Sequence, residues 1–191
     1  GDYAKTSTSH HVTLEGVFER VNFGRETDPD ELRSTPATFY TAEGDLPPGY
    51  VRDVGDVYGP RGSGISFGWS ADRTSRLRMS ENRMLGDRRY FETIQLRDNG
   101  TQWEIEVPNG VYDVTAVAGR NHWRFRETTL EMQAEGVAFF NDTTTQASFF
   151  IERELTGVSV ADGRFTLEKI SGDSSAEIAF VEVRSSGGVD Y

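Results

Sequence analysis

Trp103-Glu104-Ile105-Glu106-Val107-Pro108-Asn109-Gly110-Val111-Tyr112-Asp113-Val114 is the stretch from which the fold is read. Trp103, Ile105 and Val107 alternate with Glu104 and Glu106, the two-residue period of a strand with one buried face. After Pro108, the pair Asn109-Gly110 suits the positive φ angles of a tight hairpin turn. Tyr112, Val114, Ala116 and Ala118 then alternate with Asp113 and Thr115. The pattern predicts two strands joined as an antiparallel hairpin. Working outward, it recurs. Val158-Ser159-Val160 runs into Asp162-Gly163, and Phe165-Thr166-Leu167 runs out. Leu130, Met132 and Ala134 alternate with Glu131, Gln133 and Glu135, and Val17 to Phe23 supplies another strand. Ile178 to Val183 is a more continuous apolar run, as expected of a central strand covered on both faces. No stretch carries a capped 3.6-residue apolar repeat; Asp28 to Leu32, with Pro29 after Asp28, suits a single helical turn. The expectation is an all-β domain of about eight or nine strands, an antiparallel β-sandwich or jelly roll.

The chain has 191 residues, no cysteine, 20 glycines and a formal net charge of −11. That length fits one domain of about 100–200 residues, with core enough to need no disulfide. Residues 1–11 are polar and aperiodic and read as a linker, which discounts His10 and His11 as site residues. The body runs over residues 12–184, and residues 185–191, with Ser185-Ser186-Gly187-Gly188, read as a second linker. Polar ends on a compact body suggest a module with covalently linked neighbouring domains. No apolar run approaches the ~20 residues of a membrane helix. An acidic surface repels nucleic acid phosphates and anionic membranes, so neither is an expected partner. Of the 20 basic residues only Lys5 and Lys169 are lysine. The absence of cysteine removes thiol nucleophiles and thiolate metal sites together. Residues 24–63 hold most of the prolines and many acids, and Arg73 to Arg97 holds seven arginines. The two segments are expected to pack near each other as a polar network.

Several segments together resemble a known family. They are Arg20-Val21-Asn22-Phe23-Gly24, Pro48-Gly49-Tyr50, the run from Tyr58-Gly59-Pro60-Arg61-Gly62-Ser63-Gly64 to Trp69, Asp87-Arg88-Arg89-Tyr90-Phe91, the opening stretch above, and Ala176-Glu177-Ile178-Ala179-Phe180-Val181-Glu182-Val183. This set is similar to malectin-like, galactose-binding-like β-sandwich modules. Such modules occur beside catalytic domains in bacterial polysaccharide-degrading and surface proteins, including some esterases of pectin side chains. The resemblance implies an extracellular or cell-surface location and a polysaccharide or oligosaccharide partner. It also implies that the aromatic residues meeting sugar lie in the loop after the second strand of the opening stretch. There Trp123 and His122 fall at the matching place, and Tyr58 matches a tyrosine that reaches the ligand loops.

The residues themselves bear on chemistry. A serine hydrolase needs a nucleophile, a base and an orienting group, yet the body holds one histidine, His122. A glycosidase needs two carboxylates about 5–10 Å apart, and among 31 acids some pair meets that by chance. The run Arg120-Asn121-His122-Trp123-Arg124-Phe125-Arg126 is the leading site candidate. Aromatic faces stack on the C–H faces of sugars, and planar polar groups pair with hydroxyls or carboxylates. Trp123 is the expected stacking platform, with Tyr58, Arg120, Asn121, His122 and Arg124 as polar contacts. The plain alternative is that Trp123 and Phe125 cap the sandwich end. Gly62-Ser63-Gly64 lacks the Gly-Lys-Ser/Thr and the helix start of a phosphate loop. Arg61 is expected to bridge loops, and Trp69 and Trp103 to lie in the core. No metal-ligand spacing is present; a structural calcium held by loop oxygens leaves little sequence trace and stays open. The leading expectation is a non-catalytic carbohydrate-binding module. The alternatives are a spacer or protein-docking domain without a sugar site, and a lyase or esterase accessory domain using His122.

Overall fold

The computed structural model describes residues 17–23, 50–61, 64–79, 92–119, 127–145, 148–173 and 175–186. They form strands β1 (Val17–Phe23), β2 (Val51–Asp53), β3 (Gly59–Pro60), β4 (Ser66–Trp69), β5 (Leu77–Met79), β6 (Glu92–Gln95), β7 (Gln102–Glu106), β8 (Gly110–Gly119), β9 (Thr128–Ala134), β10 (Val137–Thr144), β11 (Phe150–Val160), β12 (Arg164–Gly172) and β13 (Glu177–Ser185). A single 3-10 turn, Thr74–Arg76, precedes β5. The single turn expected at Asp28 to Leu32 lies outside the described residues. Among the described residues no helix is long and apolar enough to cross a membrane.

The fold is an all-β sandwich of two sheets. Sheet 1 has the order β11-β8-β13-β1-β2, with β6 beside the start of β13 and β5 beside β6; sheet 2 has the order β10-β9-β12-β7-β4-β3. Strand pairs are antiparallel except β1–β2. The path β1-β13-β8-β11 in one sheet and β7-β12-β9-β10 in the other is the strand order of a jelly roll, two interleaved Greek keys.

The apolar alternation read from the sequence faces inward as expected. Trp103 and Ile105 of β7 meet Tyr112, Val114, Ala116 and Ala118 of β8 in one core, joined by Leu130, Met132, Ala134, Phe165, Leu167, Val181 and Val183. Trp69 belongs to the same core. β13 is buried from Glu177 to Val183, so both its faces are covered. On the outer side of sheet 1, Val117, Ala179 and Phe180 form a second apolar spot with Tyr50 and Phe150. The Tyr50 ring meets Phe180 edge-on at 6.1 Å.

The hairpin expectation is overturned at both turns. β7 lies in sheet 2 and β8 in sheet 1, and likewise β12 lies in sheet 2 and β11 in sheet 1. Asn109-Gly110 and Asp162-Gly163 are therefore crossings between sheets. Neither Asn109 nor Gly110 takes a positive φ, so the turn chemistry of a two-residue hairpin goes unused. The two crossings run side by side: β7 pairs β12 (Glu106 opposite Arg164) and β8 pairs β11 (Gly110 opposite Val160). Val107 N–H donates to Gly163 O at 3.1 Å, and Tyr112 OH bonds Pro108 O at 2.6 Å, stiffening the bend. A tight hairpin lies elsewhere among the described residues. Ala134 faces Val137 across Glu135-Gly136, with φ of 49° and 75°. Both central residues are left-handed, as a type I′ turn requires.

The segments 24–63 and 73–97 do meet. Arg73 N–H donates to Gly55 O at 2.6 Å, and Arg52 pairs with Glu92 at 3.5 Å. In that ion pair the acidic segment contributes the cation.

Candidate functional site

Residues 120–126 lie outside the described residues, and with them Arg120, Asn121, His122, Trp123 and Arg124. The strand ends on either side of this segment are fixed by close contacts. Gly119 closes β8 in sheet 1, and Thr128 opens β9 in sheet 2. Gly119 has φ +119°, and a Cβ there would stand 2.0 Å from Phe149 O, so β8 and β11 approach in a way that only glycine admits. On the other side, Thr129 N–H donates to Asp173 Oδ2 at 2.8 Å and Asp173 N–H returns a bond to Thr129 O at 2.8 Å. Thr128 N–H donates to Thr144 Oγ1 at 3.2 Å, and Thr129 and Thr143 share a hydroxyl contact at 3.0 Å. Among the described residues, Asp173 and Thr144 at this end of the sandwich are thus bonded to backbone, and Thr129 and Thr143 to each other. Beneath them Lys169 is fully buried on the core face of β12, its Nζ 3.4 Å from Gly172 O. Burial pulls this ammonium below the usual lysine range, against the attraction of Asp98 and Asp173.

Tyr58 occupies a different region. The Arg164 guanidinium lies over its ring, 4.5 Å from the centroid, and reaches Glu104 at 3.3 Å. Tyr58 N–H donates to Trp69 O at 2.9 Å, which seats the residue on β4. Gly68 is what lets the chain lie so close. With φ +139°, a Cβ there would meet Asp56 O at 2.7 Å and Tyr58 Cα at 2.9 Å. Arg164 stands opposite Glu106, beside the sheet crossings. β8 runs its 10 residues from that end to Gly119, a span of about 30 Å at ~3.3 Å per residue. The structure therefore does not bring Tyr58 to the strand end where Arg120 follows. Arg61 bridges as expected: its guanidinium donates to Val57 O at 2.8 Å and lies 5.1 Å from the Phe67 ring centroid.

A buried polar group escaped the sequence reading. Asp53, at the end of β2, is 1% exposed. Its Oδ1 accepts from Gly55 N–H at 2.7 Å and from Trp69 Nε1–H at 3.2 Å, and its Oδ2 from Trp103 Nε1–H at 2.7 Å. Both core tryptophans thus satisfy their one polar atom on a single carboxylate. Burial pushes Asp53 up to about 6, against the three donors and the Arg61 charge. The partners are 16 and 50 residues away, so no local spacing announces them. Among the described residues no group of three or more histidine, cysteine or acidic side chains could hold a metal ion.

No family model and no curated protein matches the chain. Solved structures do. One is described as "Bacteroides uniformis beta-glucuronidase 2 covalently bound to cyclophellitol-6-carboxylate aziridine". It is 13% identical at a TM-score of 0.45, over 72% of this chain and 15% of that one. A second is the "Agl-KA catalytic domain", 16% identical at a TM-score of 0.36, over 58% of this chain and 25% of that one. A third is the "Catalytic domain of GH87 alpha-1,3-glucanase D1068A in complex with tetrasaccharides", 12% identical at a TM-score of 0.34, over 52% of this chain and 23% of that one. The chain matches no more than a quarter of the length of any of these three.

Proposed function

We propose that the chain is a non-catalytic carbohydrate-binding module, of the malectin-like, galactose-binding-like kind, belonging to a larger extracellular bacterial protein. The observation that carries this reading is the fixing of the strand ends, at Gly119, Thr128 and Thr129, on either side of residues 120–126. A run with three arginines, a tryptophan and a phenylalanine in seven residues joins β8 to β9, whose ends lie in opposite sheets and are fixed by close backbone contacts. A rigid scaffold presenting a polar and aromatic loop is the usual design of a recognition site. In this reading Trp123 stacks on a sugar ring, while Arg120, Asn121, His122 and Arg124 meet hydroxyls or a carboxylate. Tyr58 is not counted among the contacts, because Arg164 engages its ring near the crossings at the other end of β8.

The test is a polysaccharide array with neutral and acidic glycans, run on the parent chain and on Trp123→Ala. Aromatic contacts are worth on the order of 1–2 kcal/mol, so binding should weaken about tenfold. The bound glycan should release neither reducing ends nor unsaturated sugars. A folded Trp123→Ala chain that binds every glycan as the parent does would favour the spacer reading. Product release that disappears in His122→Ala would favour the lyase or esterase reading.

A further inference from the structure

One corner of the sandwich gathers three arginines around a single carboxylate. β5 pairs β6 antiparallel, Leu77 opposite Ile94, so the Thr74–Arg76 turn before β5 runs beside residues 95–97 after β6. Among the described residues Arg73 alone bonds Asp98, through Nη1 at 2.9 Å, while its Nη2 donates to Thr101 Oγ1 at 3.0 Å. That bond, with the charges of Arg97 and Arg76, holds the Asp98 carboxyl below the usual aspartate range. Arg73 is 8% exposed, and its buried Nε–H has no acceptor among the described residues. Arg97 is exposed and Arg76 half-buried, and among the described residues neither guanidinium has a hydrogen bond or an ion pair. Asp72 is near in sequence but spends Oδ1 on the N–H and hydroxyl of Thr74, at 2.8 and 2.7 Å, and none of these arginines acts on it. The backbone here is tied on both sides. Arg78 donates to Leu77 O at 2.7 Å and to Gln95 Oε1 at 3.0 Å, joining the turn to the end of β6. Thr101 Oγ1–H donates to Asp98 O at 2.6 Å, and Gly100 N–H to Lys169 O at 2.7 Å. Gln95 stands opposite Glu177, and Ala118 opposite Ile178, so this corner lies at the end of sheet 1 where β8 closes at Gly119.

We propose that this corner is an oxyanion site, in which Arg76 and Arg97 close on a phosphate or sulfate group while the buried Arg73 stays tied to Asp98 and Thr101. Three guanidinium charges against one carboxylate leave about two in excess. The remaining cation of the corner, the buried Lys169, is attracted by Asp173 as well as by Asp98 and so adds nothing to the deficit of cations. A phosphate or sulfate dianion matches that excess, and a carboxylate matches half of it. Each guanidinium presents a planar fork of N–H donors that fits two oxygens of such a group. The ties through Arg78, Gln95 and Thr101 set the spacing of the two strand ends before an anion arrives, which lowers the ordering cost of binding. The site uses none of residues 120–126 and stands whether or not that segment binds sugar.

The experiment is titration of the whole chain with sodium phosphate, sodium sulfate and glucose 6-phosphate, followed by NMR of the backbone amides and arginine Nε–H groups. Sodium chloride holds the ionic strength at about 0.1 M throughout, where fields beyond about 10 Å are screened. The anions should give saturable shifts at Arg76, Arg97 and the amides of residues 97–101, and chloride alone should give none. Arg97→Ala and Arg76→Gln should each weaken phosphate binding about tenfold, as expected for loss of a charge-assisted hydrogen bond. Arg153→Ala, which removes an exposed arginine of β11, should change it by less than about twofold. Glucose 6-phosphate loses its second proton at about pH 6, so its affinity should rise from pH 5 to 7.5 while that of sulfate stays level. Glucose 6-phosphate bound as tightly as inorganic phosphate supports a site for the group on a larger ligand, and binding of the inorganic ions alone supports a free-ion site. Shifts that never saturate, or that chloride reproduces, would overturn the proposal. So would a folded Arg97→Ala or Arg76→Gln chain that binds phosphate as the parent does.

Discussion

Lys169 is the one lysine among the described residues, and it points inward. Among the described residues its ammonium has one long hydrogen bond, to Gly172 O at 3.4 Å, with Asp98 and Asp173 supplying attraction at longer range. Removing such a charge from water is costly, and replacing it by an apolar side chain of similar volume is often neutral or stabilising. Lys169→Met should therefore melt at or above the parent temperature at pH 7. Because the folded-state value is below the usual lysine 10.5, the folded chain binds this proton less tightly than the unfolded one. The Lys169 contribution to stability is least at neutral pH and grows as pH rises into the lysine range. Thermal melts at pH 7 and 9.5 should accordingly show a gap between Met variant and parent that narrows at the higher pH. A Met variant less stable by more than about 2 kcal/mol at pH 7 would mean that the carboxylates depend on the ammonium.

At the scale of strands, Gly119 fixes where β8 ends and the candidate loop begins. Gly119 and Gly157 both take positive φ, +119° and +74°, but a Cβ at Gly157 meets nothing within 4 Å, whereas one at Gly119 strikes Phe149 O. Gly157→Ala should cost about 1 kcal/mol for its backbone angle alone, and Gly119→Ala on the order of 2–4 kcal/mol, since β11 must also move. Urea denaturation of the two variants measures the difference, and equal losses would show that β11 yields freely at Phe149. Elements of this kind were legible in the sequence to different depths. The alternation of Trp103 with Ile105, and of Leu130 with Met132, named strands because burial of one face imposes a period of two. It did not name sheets, because β7 and β8 turn their apolar residues inward equally well from opposite sheets as from one. The Glu135-Gly136 hairpin was passed over because glutamate at positive φ is a costly choice, made here where Glu135 also accepts from Thr166 N–H. The Asp53 group was not legible at all, since its partners come together only once the two sheets face each other. Of the candidate site, the sequence showed its composition, and the strand ends that frame it had to come from the fold.

For the whole molecule, the net charge of −11 acts against the local chemistry proposed for residues 120–126. An acidic glycan approaching this chain meets two opposing fields. The body repels it, while on the proposed reading Arg120, Arg124 and Arg126 attract it over a few ångströms, with a planar fork suited to carboxylates. The two respond differently to salt, because the Debye length is about 10 Å at 0.1 M and about 30 Å at 0.01 M. Near 0.01 M salt the repulsion of the whole body reaches the ligand, and by 0.1 M most of it is screened. Contacts made within a few ångströms survive to higher salt and weaken only gradually. Affinity for a uronic or sulfated glycan should therefore pass through a maximum as salt rises from about 0.01 to 1 M, and neutral glycans should show no such curve. Replacing Arg120 or Arg124 should lower the maximum for acidic glycans by several-fold and leave neutral ones nearly unchanged. Isothermal titration across the salt series reads both effects. Affinity for acidic glycans that rises steadily with salt would mean that the body's repulsion is all the ligand feels. The arginines would then serve as partners for the acidic segment 24–63.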